Sequence, residues 1–116
     1  MTIRIKRVYE EPAEGDGERI LVDRLWPRGM SREKAIFSEW MKDVAPSTGL
    51  RKWFDHKPER WAEFQARYRQ ELKDNPALDD LRRRATHGTV TLLYGSRNTD
   101  FNHAAVLAAV LKTTTD

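Results

Sequence analysis

Cysteine is absent from the sequence, and that one absence removes several classes of function together. Disulfide scaffolds, thiolate metal sites and cysteine-nucleophile chemistry are all excluded. Also missing is any apolar run near the ~20 residues that cross a bilayer. The opening MTIRIKRVYEEP has no apolar signal core and no small-residue cleavage site, so a cytoplasmic protein with no membrane partner is expected. Histidine is scarce, and His56, His87 and His103 lack the paired spacing of a zinc site. We therefore expect neither metal nor cofactor. A large excess of one charge is missing too. The 21 Lys+Arg against 18 Asp+Glu leave a net +3, modest for a protein whose affinity would rest on neutralising many phosphates.

What is present is enough for one core. The 116 residues are 39% hydrophobic, with 4 Trp, 4 Phe and 3 Tyr, so residues 1–116 are expected to form a single domain. The acids gather between Glu10 and Glu18, whereas Arg24, Arg28, Arg32, Lys42, Arg51 and Lys52 dominate the next third. A solvated mixed-charge surface is the plainest account of that distribution.

Ile3 and Ile5 alternate with Arg4 and Lys6 as in a strand with one half-exposed face, and the acidic segment with Gly15 and Gly17 reads as a turn. Ile20 to Val22 form a continuous apolar run, the pattern of a strand covered on both faces, which Pro27 and Gly29 end. Ile36 to Val44 fits a helical face and one side of a strand equally well. Ser47 is a good cap for a helix carrying Leu50, Trp53 and Phe54. Pro58 suits the first position of a longer helix with Trp61, Phe64, Tyr68 and Leu72 as its core stripe. Asn75-Pro76 opens a third helix whose late Arg82, Arg83 and Arg84 suit the helix dipole. Thr89 to Tyr94 reads as a buried strand, Gly95 to Asp100 as a polar turn, and Phe101 to Leu111 as an apolar helix.

Apolar strands separated by helices predict an α/β domain with a mostly parallel sheet flanked by helices. In such sheets ligands bind beyond the carboxyl ends of the strands. The stretch RILVDRLWPRG and the turn after Tyr94 would then be neighbours, bringing Arg24, Arg28, Gly95, Ser96, Arg97, Asn98 and Asn102 to one anion at the start of the last helix. Asp23 follows its strand directly. A carboxylate there can serve as base or phosphoryl acceptor, but an ion pair with Arg24 is the simpler structural account. His103, at the start of the last helix, is a candidate general acid, set against a capping or core-bonded role. Trp26, Arg28, Arg51 and Trp53 interleave rings and cations as a single-stranded nucleic acid or a base would require, although core packing of both tryptophans explains them as well.

Across RILVDRLWPRGMS, DVAPSTGLRKWFDHKPERWAEFQARYRQEL and TVTLLYGSRNTDFNHAAVL the chain resembles the short, YeaO-like branch of the family called domain of unknown function 488. Longer relatives are in turn distantly similar to the rhodanese and cysteine-phosphatase superfamily. That resemblance implies a rhodanese/phosphatase-like fold and a strand at Ile36 to Val44. It also implies a structural Asp23, with Tyr94 or Gly95 in the place of the catalytic cysteine. Neither residue forms a thiolate, so sulfur transfer and cysteinyl-phosphate chemistry are ruled out while an anion cradle can persist.

The expectation is thus a small α/β protein binding a phosphate-bearing or other anionic ligand, nucleotides included, without cysteine-based catalysis. Whether it also acts on that ligand stays open at this stage. The alternative is a non-catalytic module for nucleic acid or a protein partner.

Overall fold

The computed structural model of the chain describes residues 2–113. These contain four strands, β1 (Thr2–Arg7), β2 (Glu18–Leu21), β3 (Glu39–Trp40) and β4 (Thr89–Tyr94), and four α-helices, α1 (Thr48–Phe54), α2 (Trp61–Leu72), α3 (Pro76–His87) and α4 (His103–Lys112). The strands form one sheet in the order β1-β4-β2-β3, every neighbouring pair parallel. The two apolar runs of the sequence are therefore adjacent, with Ile20 opposite Leu92 and Leu21 opposite Leu93. Val22 lies just past β2 but still donates its N–H to the Leu93 carbonyl at 3.0 Å.

Because side chains alternate along a strand, Ile3, Ile20, Val22, Val90, Leu92 and Tyr94 join the helices in the main core, while Leu21 and Leu93 enter a smaller cluster with Val8. The helices bury stripes set by their sequence. Phe64, Tyr68 and Leu72 of α2 are buried as expected, and Trp61 is half-buried against Phe101. Pro58 does not open α2 itself but a 3-10 turn (Pro58–Arg60) that leads into it, with Arg60 N–H bonded to the Lys57 carbonyl at 2.9 Å. Ser47, Asn75 and Asn102 cap α1, α3 and α4 through their side-chain oxygens.

Flanking by helices holds on one face only. The other face is covered by the 22–38 connection, through Met30 and Phe37, together with Trp40. Pro27, Gly29 and the turn at Ser31 to Lys34 leave that connection no room for an amphipathic helix. The same face carries a buried ion cluster. Asp16 pairs with Lys6 at 3.1 Å and with Arg19, and Arg19 donates to the Ile36 carbonyl at 2.7 Å. These charges are not the solvated surface that composition favours.

Ile36 to Val44 is a strand for two residues, Glu39 and Trp40, and then a 3-10 turn (Lys42–Val44). Ile36 is 56% exposed. Neither periodicity holds along the whole segment: Met41 and Val44 are buried three residues apart, and Ser38 and Met41 donate N–H groups to the Arg19 and Leu21 carbonyls, but the strand expected over Ile36 to Val44 is confined to two residues. The arginine triplet does more than answer the helix dipole. Arg84 reaches Glu39 at 2.8 Å and Glu18 at 3.2 Å, tying α3 to β2 and β3.

Candidate functional site

Parallel pairing ends β2 and β4 at the same edge of the sheet, and one side chain joins the two ends. Asp23 Oδ2 accepts the Gly95 N–H at 2.8 Å, and Oδ1 lies 3.1 Å from Nε2 of His103, the first residue of α4. That nitrogen is also 2.9 Å from the Val22 carbonyl. Two acceptors facing Nε2 assign the imidazole proton to it, directed at Val22, which leaves Nδ1 as the second nitrogen of the ring. Asp23 Oδ1 itself is buried and takes no aligned hydrogen bond among the described residues.

The expected Asp23–Arg24 ion pair does not form. Arg24 donates from Nε to the Pro46 carbonyl at 3.0 Å and from Nη2 to the Ala45 carbonyl at 3.1 Å. Successive residues of an extended chain point to opposite sides, so Asp23 turns to the last helix and Arg24 to the segment before α1. Each fastens the end of β2 to a different part of the chain.

Between these attachments lies a cleft of about 480 Å³. Asp23, Arg24, Arg28, Gly95, Ser96, Asn102 and His103 all line it, so most of the residues singled out in the sequence do come together. Arg97 and Asn98 do not; they line an adjoining groove with Arg7, Arg28 and His56. Tyr9, Arg28, His56, Gly95 and Ser96 border both spaces, which therefore adjoin.

The polar turn spends most of its capacity on itself. Asn98 Oδ1 accepts the N–H groups of Asp100 and Phe101, both at 2.8 Å, and Ser96 Oγ accepts that of Asn98 at 3.2 Å. Asn102 is buried, capping Ala105 at 2.9 Å while its amide nitrogen donates to the Asn98 carbonyl. Arg7 clamps the turn from outside, donating to the Gly95 and Ser96 carbonyls. What remains directed outward is side-chain charge. The side chains of Arg28, Arg51, Lys52 and Arg97 have no hydrogen-bond or ion-pair partner among the described residues, and Arg51 and Lys52 line the cleft opposite the strand ends.

Some lining residues fall outside the anion site read from the sequence. Arg51 lines the cleft, but Trp53, with which the sequence interleaves it, sits away from the cleft between the guanidinium groups of Arg60 and Arg67. Trp26 lines the cleft, fixed by its N–H to the Met30 carbonyl at 2.6 Å and packed on Phe37 and Trp40. His56 carries a backbone signal rather than a sequence one. α1 ends without glycine, and Asp55 and His56 both take the left-handed conformation, with φ of 49° and 55°. Two successive non-glycine residues there are strained, and such strain concentrates at functional sites. His87 lies far off at the end of α3, beside the Arg83 carbonyl.

Neither Tyr94 nor Gly95 offers the cleft a nucleophile. Tyr94 is buried in the core, and burial pushes its phenol above the ordinary 10.0. Burial likewise drives Tyr68 well above that value, so its hydroxyl remains a donor to the Val44 carbonyl behind the site.

The family described as "Inactive DUF488-N3 subclade" matches residues 2–116. Uncharacterized protein Rv3073c of Mycobacterium tuberculosis is 46% identical over 109 residues, covering 94% of this chain and 92% of that protein. Uncharacterized protein YeaO of Escherichia coli is 43% identical over 116 residues, covering 97% of this chain and 98% of its own. No solved structure matches the chain.

Proposed function

The chain belongs to the inactive DUF488-N3 subclade, and from that premise we propose that it is a cytoplasmic binding protein for a small phosphate-bearing or otherwise anionic ligand, held without covalent chemistry. The observation that carries this reading is the set of unpaired cations around one cleft: Arg28, Arg51 and Lys52 line it with no carboxylate partner among the described residues. Cations outnumber the two carboxylates of the lining, Asp23 and Asp55, and an anion completes the balance of charge. Arginine forks match phosphate geometry, and the edge of a parallel sheet is where such ligands bind. A phosphatase-like cradle that has lost its nucleophile fits both the buried Tyr94 and the family's description.

The test is titration of the labelled protein with orthophosphate and sulfate, followed by NMR on the wild type and on an Arg28→Ala, Arg51→Ala double variant. Saturable shifts at Gly95, Ser96 and the end of α1, weakened about tenfold or more in the variant, are expected from the loss of charge-assisted bonds. Anions that move nothing, or move both proteins alike, would leave the nucleic-acid or protein-partner alternative as the better account.

A further inference from the structure

We infer that the ligand is an aromatic phosphomonoester of mononucleotide size, its ring in the inner cleft and its phosphate in the outer groove. The inference rests on the binding reading above and assigns the two adjoining spaces different tasks. The groove holds Arg7, Arg28, Arg97 and His56 and has no carboxylate in its lining. The inner cleft is walled by rings, with Trp26, Phe54, Phe64 and Phe101 among its lining, and also carries the carboxylates of Asp23 and Asp55. Arg51 and Lys52 also line the cleft but are offset there by the two carboxylates, so a phosphate is drawn more strongly to the carboxylate-free groove. An uncharged planar group has the opposite preference.

The rings are fixed in advance. Phe101 is half-buried against Trp61, with centroids 5.3 Å apart, and Trp26 is locked by its indole hydrogen bond. Rigid aromatics bind a planar partner with little further ordering cost. The inner volume of about 480 Å³ falls within the ~300–1,000 Å³ range of small-molecule sites. At the junction stand Arg28 and His56, the latter held there by the left-handed pair Asp55–His56. That junction suits the point where the ring's substituent meets its phosphate.

Calorimetric titration of the full chain compares orthophosphate, ribose 5-phosphate, phenyl phosphate, AMP, adenosine and a 5′-phosphorylated trinucleotide. AMP and phenyl phosphate are expected to bind about tenfold or more tighter than ribose 5-phosphate, in line with base–aromatic stacking. Phe101→Leu, which keeps an apolar group against Trp61, should bring the AMP to ribose 5-phosphate ratio down toward one. Arg28→Ala with Arg97→Ala should weaken AMP and orthophosphate together, and adenosine should bind more weakly than AMP.

If ribose 5-phosphate equals AMP while both bind, the aromatic assignment is wrong and the anion reading stands. If no phosphate compound binds, both fall. A trinucleotide that binds as well as AMP supports the same ring-and-phosphate site with a strand end as its source, and one that binds less well supports a free nucleotide. Binding of the trinucleotide alone, with AMP silent, overturns the inference.

Discussion

The Asp23 carboxylate accepts a hydrogen bond from the Gly95 amide at 2.8 Å, joining residues 72 positions apart in the chain. The same carboxylate stands beside His103. One side chain therefore sets the spacing of β2, β4 and the start of α4, the three elements that form the floor of the cleft. Removing it leaves a part-buried amide without its acceptor.

Asp23→Ala is expected to destabilise the protein by about 1 kcal/mol, toward the low end of the cost of an unpaired donor because the Gly95 amide is part-buried. Asp23→Asn is milder at Gly95, whose amide can still find a side-chain oxygen, but it turns an amide NH₂ toward the Nε2 proton of His103. Urea unfolding measures the first effect, and ¹⁵N shifts of the imidazole measure the second. An Asp23→Ala variant as stable as the wild type would show that the strand ends are held by other contacts.

Acid should act through Asp16. Burial pushes its carboxyl up, but the Ala13 N–H, Lys6 and Arg19 outweigh that and hold it at about 2, below the ordinary 3.8. A carboxyl depressed on folding adds stability that is whole above its unfolded value and is lost as pH falls through the folded one. The window therefore runs from 3.8 down to about 2. Thermal melts of wild type and Asp16→Asn should differ most near neutral pH and converge through that window. A gap that stays constant into acid would mean that the cluster's contribution is not electrostatic.

Two glycines should respond to alanine in opposite ways. Gly17 has φ of 63°, and a Cβ there would lie 2.1 Å from the Thr89 carbonyl oxygen. Gly17→Ala is expected to cost more than about 2 kcal/mol, from backbone strain together with the clash. Gly49, inside α1, has nothing within 4 Å of such an atom, so Gly49→Ala should gain roughly 0.5–1 kcal/mol from helix propensity. Equal effects at the two positions in denaturation curves would contradict this assignment of their roles.

Tyr68→Phe removes the hydroxyl that donates to the Val44 carbonyl in a fully buried setting. The expected loss is about 1–3 kcal/mol, read by urea unfolding, with the Phe64 and Leu72 contacts preserved. Because Tyr68 also lies edge-on to His103, small NMR shifts should reach the imidazole. A neutral substitution would mean that Val44 finds another donor.

The α2 stripe, the caps at Ser47, Asn75 and Asn102, and the adjacency of the β2 and β4 runs were readable because each rests on local chemistry: helical spacing, a side-chain oxygen at a helix start, an unbroken apolar run. Ile36 to Val44 was not readable because its pattern serves two structures in turn, and only the exposed edge of β2 selects the two residues that pair. Asp16 resembled any other acid of its segment. Its burial depends on Lys6 and Arg19 meeting it across the sheet face, which no local pattern announces.

By itself the sequence determined the chemistry available to this protein. Without cysteine it has no thiolate, and its apolar runs and caps dictate a single α/β domain with parallel strands. The tertiary structure alone decided which charges are committed and which are free. Arg24 and Arg7 spend their guanidinium groups on backbone carbonyls and Arg84 on carboxylates, whereas Arg28, Arg51, Lys52 and Arg97 are left facing the cleft and groove. All these residues carry the same charge in the sequence. The partner of a long flexible cation is set by which distant carbonyl or carboxylate folding brings within about 3 Å, a matter of three-dimensional proximity rather than of residue type.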